Sequence, residues 1–146
     1  MKRNSLAATE TQLLDQLIGR RGLATILGWR SLHIRPAMVK DDTAETGYSY
    51  RTPIQGGGID FPDLLLVKDC RPGRLIAAEL KRKGQWPRSG QCEWLDLFAS
   101  VEGVETYLWY TEGDLEEIQE ILTLGHVPNL IERIALDTAW VNRRDR

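Results

Sequence analysis

The sequence predicts an α/β fold in which helices cover both sides of a sheet, and three observations carry that prediction. Periodic segments follow one another in the order helix, three strands, helix, strand, helix. Two strand-like runs, residues 61–68 (FPDLLLVK) and 74–81 (RLIAAELK), are continuously apolar in their middles, as strands are when both faces are buried. The chain of 146 residues is 42% hydrophobic and 27% charged, enough for one sizeable core and too short for a second domain of ordinary size.

Residues 5–27 place Leu13, Leu14, Leu17, Ile18, Ala24 and Leu27 at helical spacing, with Ser5 or Thr9 available as N-cap. Gly19 and Gly22 weaken the second half of this amphipathic helix, and Gly28 is placed to end it in a left-handed turn before a short strand over 29–34. The stretch 36–58 is polar and punctuated by Pro53 and by Gly56, Gly57 and Gly58, too poor in apolar residues to pack as an element of its own. So long a loop inside one domain is usually functional or mobile. The two apolar runs, joined by a turn over 69–73 (DCRPG), should pair as an antiparallel hairpin.

After a polar turn (KGQWPRSG), residues 91–99 have helical spacing through Trp94, Leu95 and Phe98, and 104–110 reads as a strand. A further helix over 114–124 carries Leu115, Ile118 and Leu122 on one face, with Gly125 as its stop. The last segment, 127–146, offers Leu130, Ile131, Ile134 and Ala135 on one side of a short helix and then a basic end, Arg143, Arg144 and Arg146. It is either a helix docked on the domain with a solvated tail or a dimerisation arm.

Lys and Arg total 19 against 21 Asp and Glu, a net charge of -2, so the chain does not coat nucleic acid by bulk charge and any polyanion contact is local. Apolar residues never run for the roughly 18 positions a membrane helix needs, and the polar start lacks a secretory apolar core, which predicts a cytoplasmic protein with no membrane partner. Cys70 and Cys92 are too few and too far apart for a disulfide framework or a zinc knuckle and are expected as reduced thiols. The glycine run at 56–58 precedes a strand, and no G-x-G-x-x-G or G-K-[ST] is present, which argues against a nucleotide-binding loop.

Chemistry concentrates at one place. Asp63 opens the first strand of the hairpin, while Glu79 and Lys81 lie two positions apart near the end of the second. Side chains alternate along a strand, so Glu79 and Lys81 share a face, and antiparallel pairing sets Asp63 beside them. Two carboxylates and an ammonium beside apolar runs cost several kcal/mol unless they are paired or bound to a metal. Mg2+ or Mn2+ answers that cost, because hard cations take carboxylate and carbonyl oxygens and keep room for a phosphate oxygen. The Leu80 carbonyl, between the two side chains, is a further ligand candidate. A cation so held lowers the pKa of a bound water and polarises a scissile phosphate, and Lys81 would orient the water or offset the developing charge. Taken alone, E-x-K is also the pattern of an ordinary same-face ion pair.

The whole run narrows the choice. It reads P-D at Pro62 and Asp63, E-L-K at Glu79, Leu80 and Lys81, then Ser89, Gln91 and Trp94 opening a helix. This resembles the VRR-NUC family of the PD-(D/E)XK nuclease superfamily, with further matches in Glu10 on the first helix, in Gly28 and Trp29, and in the strand and helix over 104–124. The resemblance implies a restriction-endonuclease-like αβββαβ core, a central mixed sheet flanked by helices, over residues 1–125. Residues 126–146 then form a C-terminal helix and basic tail, part of that domain or a dimer arm. It implies that Asp63, Glu79, Lys81 and Gln91 are catalytic and that Glu10 adds a carboxylate to the metal set of Asp63, Glu79 and Leu80. One departure is that Ile59, Asp60 and Phe61 stand between Gly58 and Pro62, which makes Asp60 a rival or auxiliary ligand. The long 36–58 loop is another.

Gln91 falls in the first turn of its helix, where free N–H groups favour a phosphate that its amide could also bond. His33, at the end of the strand after the first helix, is a candidate auxiliary site residue or an ordinary hydrogen-bonded histidine. Arg82, Lys83 and Arg88 flank the site and supply the local positive field that the total charge hides, unless they form only a solvated turn. In the long loop, Arg51, Tyr48 and Tyr50 either grip DNA or cover an edge of the core. By the resemblance, the expected function is Mg2+- or Mn2+-dependent hydrolysis of DNA phosphodiester bonds by a structure-selective endonuclease, a homodimer acting on branched DNA such as Holliday junctions. The alternative is a nuclease-like module that holds DNA or a protein partner without cutting.

Overall fold

The computed structural model describes residues 9–34, 37–40, 42–51 and 60–144. Ser5, Pro36, Pro53, Gly56, Gly57, Gly58, Ile59 and Arg146 lie outside them, as do the side chains of Tyr50 and Arg51.

Thr9 starts helix α1 (Glu10–Ile18) with a capping box: its hydroxyl accepts from the Gln12 N–H, and the Gln12 side chain accepts from the Thr9 N–H, both at 3.1 Å. The helix predicted over 5–27 is two helices, because the chain turns sharply between α1 and α2 (Leu23–Ile26). At Gly19 a Cβ would run into the Asp15 carbonyl, and at Gly22 into that of Leu17, so the turn closes only on residues without side chains. Gly28, at φ +88°, then swings the chain into strand β1 (Arg30–His33), as its sequence position predicts.

Strands β2 (Ala37–Lys40) and β3 (Tyr48–Arg51) correct the expectation of a structureless 36–58 loop, since they pair antiparallel as a separate two-stranded sheet. Their backbones satisfy each other, which apolar content does not report. Next, β4 (Leu64–Lys68) and β5 (Arg74–Lys81) form the predicted antiparallel hairpin, with Leu64 opposite Ala78 and Lys68 opposite Arg74. Helix α3 (Ser89–Ala99) crosses over to β6 (Val104–Tyr110), which runs parallel to β5. Helices α4 (Leu115–Thr123), α5 (Leu130–Ile134) and α6 (Trp140–Arg144) complete the chain. The result is a four-stranded mixed sheet, β1-β4-β5-β6, flanked by helices.

One face of the sheet, through Leu64, Leu66, Ile76, Ala78 and Trp109, buries Leu13 and Leu17 of α1, Ala24 of α2, and Ile118, Ile121 and Leu122 of α4. On the other face Cys92 and Leu95 of α3 and Trp140 of α6 pack around Leu108. The second layer lies over β5 and β6, so β5 is buried on both faces, as predicted, whereas β4 is not. Leu64 and Leu66 are buried, but Val67 is half exposed.

At the end of the sheet where β5 begins, Arg74 and Glu105 form a buried bidentate pair at 2.6 and 2.8 Å, and the Tyr107 hydroxyl donates to Glu105 at 2.8 Å. Burial beside that carboxylate holds the Tyr107 phenol above its ordinary range. Arg74 also donates to the Ile121 and Leu124 carbonyls, and the Trp29 indole to that of Leu122. These donors, rather than a left-handed Gly125, satisfy the carbonyls at the end of α4.

The C-terminal segment adds to the edge of β6: the Leu108 N–H donates to the Thr138 carbonyl at 3.0 Å, and Arg143 donates to both Asp114 carboxylate oxygens and to the Leu108 carbonyl. Arg143 is therefore structural and not part of a solvated tail. In α5 the apolar residues Leu130, Ile131 and Ile134 face solvent. Cys70 and Cys92 are both free thiols. Among the described residues, no helix is long and apolar enough to cross a membrane.

Removing one member of a buried ion pair strands its partner's charge, which typically costs about 3–5 kcal/mol. Glu105→Ala should lower the unfolding free energy in urea by that amount, while Arg74→Met combined with Glu105→Leu should recover most of it. A cost below about 1 kcal/mol for the single variant would show that the pair does not hold this end of the sheet.

Candidate active site

The register that sets Leu64 opposite Ala78 brings Asp63 opposite Glu79. The Asp63 N–H donates to Glu79 Oε2 at 3.3 Å, and Asp63 Oδ2 accepts the Leu80 N–H at 2.9 Å. Residues of one strand alternate in the neighbour to which their N–H and C=O point, so the Leu80 carbonyl faces the same side as its N–H. One further ladder pair would set Pro62 opposite Leu80, and proline has no N–H to give that carbonyl. The P-D dipeptide thus starts β4 at Leu64 and not at the predicted residue 61, withholds a ladder donor from Leu80, and puts a carboxylate where the ladder stops.

Glu79 is 1% exposed. Burial first, and then the Asp63 carboxyl, push its pKa up to about 9, and Lys81, with Nζ 3.6 Å from Glu79 Oε1, offsets this only in part. Gln91 Nε2 donates to the same Oε1 at 2.6 Å, and Gln91 Oε1 accepts the Arg88 N–H at 2.8 Å. The buried Gln91 amide therefore orients Glu79 and closes the first turn of α3, which leaves it spoken for where the sequence suggested a phosphate contact.

A cleft of about 320 Å³ opens beside this cluster, lined by Glu10, Thr11, Leu14, His33, Ile34, Asp63 and Leu80. The first turn of α1 and the end of β1 thus bring Glu10 and His33 to the cleft wall. Among the described residues no three Asp, Glu, His or Cys side chains are gathered closely enough to enclose an ion. The donors in contact are Asp63 and Glu79, the Leu80 carbonyl faces the same strand edge as its N–H, and Glu10 is placed on the cleft wall. Two carboxylates and a carbonyl suit a cation that keeps several waters, as Mg2+ does. A cation bound there would also displace the proton that burial keeps on Glu79.

Asp60 is held elsewhere. It adopts φ +68°, unusual for a residue with a side chain, and Arg88 grips its Oδ1 at 2.5 and 3.1 Å. Its other oxygen lies where a Cβ on Gly90 would be, so a side chain at position 90 would displace the Asp60 carboxylate. The Asp60 carboxylate thus pairs with Arg88. Arg82 and Lys83 are exposed on the connection after β5, and Arg51 ends β3. The Asp60–Arg88 pair and the exposed indole of Trp86 are not announced by any spacing. The nearest sequence signal for Trp86 is an aromatic residue inside the basic run KRKGQWPR.

Glu79 binds its proton more tightly folded than unfolded, so between about pH 4.5 and 9 the folded state holds more protons and stability falls as pH rises. Glu79→Gln keeps the side-chain shape and removes this dependence. In divalent-free buffer, urea midpoints at pH 5, 7 and 9 should fall more steeply for the wild type than for Glu79→Gln, by up to about 1.4 kcal/mol per pH unit. Parallel slopes would contradict the assignment. Compared with models of known families, with curated proteins and with solved structures, the chain gives no match.

Proposed function

We propose that the chain is a metal-dependent nuclease that hydrolyses DNA phosphodiester bonds on a restriction-endonuclease-like core. The observation that carries this reading is the contact set at the end of β5: Asp63 and Glu79 paired, the Leu80 carbonyl left without a ladder donor, Lys81 beside Glu79, and Asp63 and Leu80 lining the cleft. Mg2+ or Mn2+ held by Asp63, Glu79 and Leu80, with Glu10 on the cleft wall, supplies Lewis acidity and an activated water. The Lys81 side chain, 15% exposed, reaches solvent, where its ammonium would direct a nucleophilic water and face the phosphate. Gln91 keeps Glu79 aimed, as outer partners of metal ligands do. Arg82, Lys83 and Arg88 provide the local field that draws a polyanion to a chain of net charge -2. The solvent-facing apolar residues of α5 offer a surface for a second copy, and a homodimer would set two such sites on the two strands of branched DNA.

A second reading, a module that holds DNA without cutting it, is favoured by one observation: both Glu79 oxygens already accept hydrogen bonds, from Gln91 and from Asp63. A cleavage panel of linear duplex, single strand, flap and four-way junction in Mg2+ and in Mn2+ separates the two. The wild type should cut at least one of these, Asp63→Ala, Glu79→Ala and Lys81→Ala should each lose about 100-fold or more, and Gln91→Ala about 10- to 100-fold. Binding without cleavage favours the second reading, and variants as active as the wild type refute the site.

A further inference from the structure

We propose that Trp86 is a stacking platform for an unpaired base of the strand whose phosphate enters the Asp63–Glu79 site, an inference that rests on reading that site as directed at nucleic acid. Trp29, Trp109 and Trp140 are buried, whereas Trp86 is 50% exposed. It sits on the connection from β5 to α3, between Lys81 and Gln91, so the chain that builds the site also carries the indole. That connection holds Lys81, Arg82, Lys83 and Arg88, and no acidic residue stands between Glu79 and Glu93. Exposed Arg82, Lys83, Gln85 and Arg88 surround Trp86 in the chain, a setting that suits a polyanion better than an apolar protein surface.

The indole is also held in place. Its ring lies 5.5 Å from that of Trp140 at 32°. Pro87 beside it is buried, and the Tyr110 hydroxyl pins the Gln85 carbonyl at 2.8 Å. A fixed aromatic face loses little freedom when a base stacks on it, and bases of any identity can do so. In an intact duplex both faces of each base are already covered by neighbours, so only an unpaired or terminal base can use this platform. The inference therefore narrows the substrate to nucleic acid with unpaired nucleotides at the cleft, as in single strands, flaps and open branch points.

The test is binding in EDTA, by fluorescence anisotropy of a labelled oligothymidylate and by its competition with relaxed closed-circular duplex DNA, which has no terminal bases. Trp86→Ala should weaken the single strand by about 5- to 100-fold and the duplex by less than about twofold, while Trp86→Phe stays near wild type. Oligothymidylate should quench the intrinsic tryptophan fluorescence of the wild type, and Trp86→Phe, which remains folded and binds, should lack that quench. Equal weakening of both ligands, an unaffected single strand, or a quench that survives in Trp86→Phe would overturn the proposal. Binding of neither nucleic acid would also overturn it and leave the indole to a protein partner. Cleavage of intact duplex with indifference to Trp86 would sink this inference alone, whereas Trp86-dependent binding without cleavage in Mn2+ would support it and remove only the catalytic reading.

Discussion

Where β5 begins, Arg74 commits its guanidinium to Glu105 on β6 and to two carbonyls at the end of α4, and its Cζ lies 4.8 Å from the centre of the Trp29 ring. Every partner is buried or capped, so a full charge pair sits in the core with its hydrogen bonds satisfied. This junction joins the hairpin to the parallel strand, to α4 and, through Trp29, to the entry of β1. Loss of either charge would strand the other, and the sheet register at β5 and β6 depends on both.

The opposite end of the same strand is built the other way. Glu79 is as buried as Arg74, yet its neighbours are another carboxyl, an amide and one partly exposed ammonium. The protein keeps Glu79 in place with donors from Gln91 and the Asp63 backbone instead of neutralising it with an arginine. Eight residues of one strand thus carry a charge that is fully compensated at one end and one that is not at the other. An uncompensated buried carboxyl lowers stability at neutral pH, and such sites are where function is commonly found. The apolar packing between the two ends fixes the strand on both faces, which makes the geometry at Glu79 rigid.

The strands and the hairpin register were legible because apolar runs and the turn over 69–73 leave few alternatives, and the same register placed Asp63, Glu79 and Lys81 together. Other features depend on contacts far apart in sequence. The turn that splits the first helix follows from two close backbone approaches at Gly19 and Gly22, and the end of α4 follows from Arg74, some fifty residues earlier. The exposure of β4 follows from where α3 lies, and the β2–β3 ladder from backbone pairing in a stretch with few apolar residues. Gln91 was legible as a helix-opening residue, but its engagement with Glu79 needed the crossover geometry. Asp60 was visible as a carboxylate near the site, and only its left-handed backbone and the grip of Arg88 show where it points.

The account makes the end of β5 a site for a divalent cation, and a calorimetric titration of the divalent-free protein with Mn2+ addresses that claim directly. It predicts saturable binding that disappears in Asp63→Ala and in Glu79→Ala and persists in Asp60→Ala, whose carboxylate is taken up by Arg88. Absence of saturable binding, or binding that survives loss of Glu79, would contradict it.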